Sequence, residues 1–72
     1  NMTPTHLPTI IMDHDNSPYS RAFIASAAAS RYFALSHDTY TNESANDALI
    51  RGNAQFVIHI PEDFGRALVR GD

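Results

Sequence analysis

Cysteine, lysine and tryptophan are absent from the 72 residues, and each absence removes a class of chemistry. Without cysteine there are no disulfides and no thiolate zinc sites, although a cysteine-free chain remains compatible with an oxidising compartment. Basic charge is also scarce. Five arginines stand against eight acids, for a formal net charge of -3, and no aromatics alternate with arginine. A nucleic-acid partner is therefore not expected, because phosphate binding needs a basic surface. Long apolar runs are missing too: the chain is 43% hydrophobic, but no stretch approaches the roughly 20 residues needed to cross a bilayer. No charged leader followed by an apolar stretch occurs, so export of this segment would depend on sequence outside it. A chain this short buries only about 60% of its unfolded surface, which disfavours a large enclosed active site.

What is present alternates in kind. Residues 1–8 hold Pro4 and Pro8 among small polar residues and read as an extended tether, with an α/β domain over residues 9–72. Thr9 to Asp13 is a short β-branched apolar run, expected as a strand buried on both faces. Ser17 and Pro18 form an N-cap and first-turn pair that opens a helix to about Arg31. In that helix Tyr19, Phe23 and Ala27, beside Ala22, Ser26 and Ala29, form the expected inward stripe, with Ser20 and Arg21 outside it. Phe33 to Tyr40 alternates as an edge strand would.

Thr41 or Asn42 caps a second helix with Ala45, Ala48 and Leu49 on one face, ended by Gly52. Ala54 to Ile60 reads as a third strand buried on both faces, and Pro61 as the first turn of a third helix that Gly71 ends. Strands alternating with helices at this spacing imply a parallel sheet with right-handed crossovers. The expected fold is thus α/β, a three-layer βαβαβα unit with strand order 2-1-3 and the first two helices on opposite faces. An apolar third strand makes a poor edge, so further elements are expected after Asp72, or a weak homodimer through that edge.

Asp13, His14, Asp15 and Asn16 fall at the carboxyl end of the central strand, where open α/β sheets place ligands. They are the candidate binding residues. The Asp-x-Asp pattern is similar to the nucleophile motif of haloacid-dehalogenase-type, magnesium-dependent phosphatases, in which Asp13 would attack phosphorus and Asp15 would be acid and base. That chemistry also needs a lysine and a further acidic pair for the metal, and the chain has no lysine and no Asp-Asp pair. The structural reading has Asp15 and Asn16 making turn hydrogen bonds while Ser17 caps the helix, and it is favoured. His6, His14, His37 and His59 show no i, i+4 spacing, so no metal site is expected. His14 beside two acids reads as a solvated ion pair, and His59 as a neutral imidazole hydrogen-bonded under a helix. Asn42-Glu43-Ser44 fits the glycosylation acceptor pattern, but helix capping accounts for it. Arg66 and Arg70 would complement the negative end of the third helix. The structural caps are thus Ser17, Pro18, Asn42 and Pro61.

Taken in order, several strings combine: His6-Leu7-Pro8, Ile11 to Arg21, Tyr32-Phe33, a helix ending at Arg51-Gly52, and Val57-Ile58-His59-Ile60-Pro61-Glu62-Asp63-Phe64. The ordered set resembles the segment after the first membrane helix of ATP-binding-cassette type 2 permeases of the bacterial multidrug-exporter kind. His59 departs from the resemblance, since an apolar residue is usual there. The resemblance implies a fragment of a larger membrane protein, on the periplasmic or extracellular side of the cytoplasmic membrane. It implies a non-catalytic role without a cofactor. The partners would be the remaining permease chain, a partner permease, a periplasmic adaptor and the exported small molecule, with a separate ATPase domain acting indirectly.

Overall fold

A computed structural model of the chain describes residues 4–36 and 38–71. Among these residues the elements run β1 (Leu7–Asp13), α1 (Pro18–Ala29), β2 (Phe33–Leu35), α2 (Asn42–Ile50), β3 (Phe56–Ile60) and α3 (Phe64–Arg70). β1 pairs in parallel with β2 on one side and β3 on the other, so the sheet order is β2-β1-β3. The expected βαβαβα unit with order 2-1-3 is what forms.

β1 begins at Leu7, two residues before the expected start at Thr9. Its proline is tolerated because the ladder to β3 opens only at Thr9↔Phe56, so the missing Pro8 donor removes no ladder bond. The Pro8 carbonyl still accepts from the Gln55 amide at 2.7 Å. Alternation along β1 sends Ile10 and Met12 to one face, where they are buried with Ala45 and Ala48 of α2 and with Ala54. Tyr40 and Val57 border this cluster. Ile11 faces the other side, where it shares a groove with Ile24 and Ala28 of α1 and with Leu35. α1 also packs on α3, and Phe23 meets Phe64 edge to face at 5.9 Å.

Several local expectations need correction. α1 turns Ser20 inward, fully buried, with Ile24 and Ala27 half-buried, whereas Tyr19 and Phe23 are 49% and 41% exposed. A polar attachment explains the rotation: the Ser20 hydroxyl donates to the Asp13 carboxylate at 2.7 Å. β2 covers three residues instead of reaching Tyr40, because Tyr40 is recruited to the α2 cluster. His37, expected on that strand, lies outside the described residues.

β3 starts at Phe56, and it is not buried on both faces. Phe56, on the Ile11 face, is 44% exposed, and on the other face His59 is exposed since α2 spans only nine residues and sits over Ile10, Met12 and Val57. Thr41, not Asn42, caps α2: its hydroxyl accepts from the Ser44 amide at 3.0 Å, while the Ser44 hydroxyl accepts from the Thr41 amide at 2.8 Å. Asn42 is the first helical residue. Pro61 stands before α3 rather than in its first turn, in a tight turn where its carbonyl accepts from the Phe64 amide at 3.1 Å. Asp63 takes the N-cap position without a side-chain cap bond, and Arg66 falls near the start of α3, leaving Arg70 as the basic residue of its last turn. Gly52 and Gly71 end their helices with φ of 77° and 79°, the left-handed values that favour glycine.

Candidate functional site

The chain leaves β1 at Asp13, and the carboxylate there is taken up by the turn that follows. Its Oδ1 accepts from the amides of Asp15 at 3.0 Å and Asn16 at 2.9 Å, and its Oδ2 accepts from Ser20 Oγ. Short polar side chains stabilise turns in this way. Asn16 adopts φ 53°, a left-handed value that asparagine tolerates better than most residues, and its carbonyl accepts from Arg21 Nη1 at 3.1 Å. Ser17 then caps α1 as expected, accepting from the Ser20 amide at 3.2 Å while the Ser20 hydroxyl accepts from the Ser17 amide at 2.9 Å. Pro18 occupies the first turn.

Burial acts to raise the Asp13 pKa, but the Asn16 amide, the Ser20 hydroxyl, the Asp15 amide and the Arg21 charge together outweigh it. The carboxyl is held below its ordinary value and stays ionised at neutral pH.

Asp15 joins the turn to α3. Its Oδ2 accepts from the Ser17 hydroxyl and from the Gly65 amide at 3.1 Å. Gly65 is buried, and a Cβ there would lie 2.9 Å from Tyr19 Cδ2, 3.1 Å from Ser17 Oγ and 3.2 Å from Asp15 Oδ2. Only glycine lets α3 approach this closely. Sequence reasoning passed over Gly65, although a glycine inside a short helix signals a close backbone approach. Beside this contact an open groove of about 430 Å³ runs between α1 and α3, lined by Asp15, Ser17, Tyr19, Gly65, Arg66 and Val69 among others.

The four candidate binding residues therefore separate. Asp13 and Asp15 are committed to internal hydrogen bonds, and only Asp15 also borders the groove. Asn16 is exposed at the turn. His14 makes no ion pair with the flanking acids; its amide donates to the Ile60 carbonyl at 2.9 Å, and its exposed ring stands 5.7 Å from that of His59. His59 is thus not an imidazole buried under a helix. The register Met12↔His59 explains the meeting, because it sets His59 level with the last residues of β1.

Among the described residues no three histidine, aspartate or glutamate side chains converge as a metal cluster, and no helix is long and apolar enough to cross a membrane. No family model, curated protein or solved structure matches this chain.

Proposed function

We propose that the chain is a non-catalytic extracytoplasmic domain of an ATP-binding-cassette exporter permease, serving substrate passage or contact with a partner permease or periplasmic adaptor. The observation that supports it most is the contact between Asp15 and Gly65. Two strings of the resemblance, Asp13 to Arg21 and Val57 to Phe64, lie far apart in sequence and are brought side by side at this junction by the β1–β3 pairing. The open groove beside it, with Tyr19 and Val69 exposed and Arg66 at its side, is the surface such a domain would offer a partner.

The occupied carboxylates favour a structural over a phosphatase role. The Asp13 carboxylate serves the turn and α1, and the lysine that the phosphatase chemistry also needs is absent from the chain. With magnesium and a generic phosphate ester, turnover is expected to stay at the blank level; hydrolysis abolished by Asp13→Asn would reverse the assignment. Placement has its own test. Because this segment has no cysteine, Glu43→Cys on exposed α2 gives it a unique thiol in the full-length protein, with any cysteine elsewhere replaced. The expected result is labelling by a membrane-impermeant maleimide in intact cells. Labelling only after lysis would overturn the extracytoplasmic reading.

A further inference from the structure

Two histidines from different elements meet at one end of the sheet. His14 follows β1 and His59 lies on β3, their ring centres 5.7 Å apart with planes inclined at 59°. Both side chains are exposed, and among the described residues neither ring takes a hydrogen bond or an ion pair. Nearby, Asp13, Asp15, Ser17 and Ser20 satisfy one another and the backbone. The imidazole pair is left with open nitrogens.

Its spacing is that of two ligands on one ion. With a metal–nitrogen distance of about 2.1 Å and a ring centre about 1.1 Å behind its nitrogen, two imidazoles on a tetrahedral ion have centres roughly 5.2 Å apart. The observed 5.7 Å is about 0.5 Å longer, and both side chains are exposed, so side-chain rotation can bring the rings to that value. The backbone is already fixed to hold them, by the Met12↔His59 register and by the His14 amide bonded to Ile60.

We infer that His14 and His59 form a binding site for one borderline divalent transition-metal ion of the zinc class. Imidazole selects zinc, copper and nickel, whereas magnesium and calcium require oxygen ligands. With no third histidine, aspartate or glutamate converging among the described residues, water completes the coordination shell, so the site is open and weaker than a closed four-ligand site. A bound ion ties the β1–α1 turn to the outer strand β3. The inference does not depend on which side of a membrane the domain occupies.

The test is calorimetric titration of Zn²⁺ into the tag-free, metal-free chain, with Mg²⁺ as comparator. Ring-proton NMR of the four histidines is followed in parallel. One Zn²⁺ per chain is expected, with His14 and His59 resonances moving together and no response to Mg²⁺. Loss of an outer-shell partner already weakens metal sites about 10–100-fold, so His14→Ala and His59→Ala should each weaken binding about tenfold or more. His6→Ala and His37→Ala should leave it unchanged. Melting curves establish that the variants remain folded. Absence of Zn²⁺ binding to the parent chain, binding that survives either His14→Ala or His59→Ala, or binding that follows His6 or His37 overturns the inference.

Discussion

On the α2 face of the sheet, Ile10 and Met12 lie under Ala45 and Ala48, and small apolar side chains in contact make the joint. On the opposite face polar bonds join the apolar contacts: Ser20 reaches Asp13 and Asp15 reaches Gly65, and although Ile60 is buried, the large residues of α1, Tyr19 and Phe23, stay about half exposed. Apolar burial is non-directional and scales with area, so the α2 face supplies stability without fixing geometry closely. Hydrogen bonds contribute less net energy but fix distance and angle. The contrast assigns the larger apolar cluster to one face and placement of the groove to the other.

Truncation on each face is the strongest way to break that contrast. Ile10→Ala leaves a cavity at a site only 2% exposed, and such changes cost about 2–5 kcal/mol, comparable with the whole stability of a domain this small. The expected outcome is loss of the cooperative denaturant transition. Phe23→Ala removes a larger ring that is 41% exposed, and the expected loss is only about 1 kcal/mol because much of the ring already meets water and its removal opens no enclosed cavity. Equal midpoint shifts for the two variants would mean that the faces do not differ.

A smaller effect sharpens the polar side. Gly65→Ala would gain a little helix propensity, at most about 1 kcal/mol, but it forces a Cβ against Ser17 and Asp15. Tyr19 is exposed and can swing away, whereas Ser17 and Asp15 are held by their own hydrogen bonds. Overpacking of this kind costs about 1–3 kcal/mol, so net destabilisation of about 1 kcal/mol is expected. Asp15→Ala should show a similar loss, since it removes the acceptor of the Gly65 amide. An Asp15→Ala chain that melts like the parent would return Asp15 to the role of a ligand contact.

Sequence patterning was a sound guide where one physical effect acts alone. Strand and helix alternation set the topology, Ser17-Pro18 set the start of α1, and Gly52 and Gly71 set two helix ends. It misled where two effects compete. α1 is rich in alanine, so its apolar stripe is weakly defined, and one buried hydroxyl bonded to Asp13 decides the rotation that hydrophobicity leaves open. Pro61 suits a helix start, yet a turn before Phe64 uses the same fixed φ. His59 on an apolar strand suggested burial, but exposure depends on how far α2 reaches, which the strand's own residues do not encode. The Asp15–Gly65 and His14–His59 meetings depend on parallel register, and register is a property of the assembled sheet.

The smallest expected effect concerns Asp13 and acid. Its carboxyl is depressed in the folded chain by the Asn16 and Asp15 amides, the Ser20 hydroxyl and Arg21, which together outweigh the opposing effect of burial. In the unfolded chain an aspartate titrates near about 3.9. A folded value below the unfolded one means that the folded state holds the proton less readily. Ionised Asp13 therefore contributes stability that is fully present above about pH 4 and is lost as pH falls through the folded value. Asp13→Asn keeps a carbonyl acceptor for the turn amides but has no charge to lose. The melting temperature of the parent should exceed that of the variant at neutral pH, and the gap should close on acidification toward pH 3 or so as the parent carboxyl is neutralised. Because the other carboxylates titrate in both proteins, the difference between the two curves isolates Asp13. A gap that stays constant from neutral pH into acid would mean that the hydrogen bonds around Asp13 hold the turn without help from its charge.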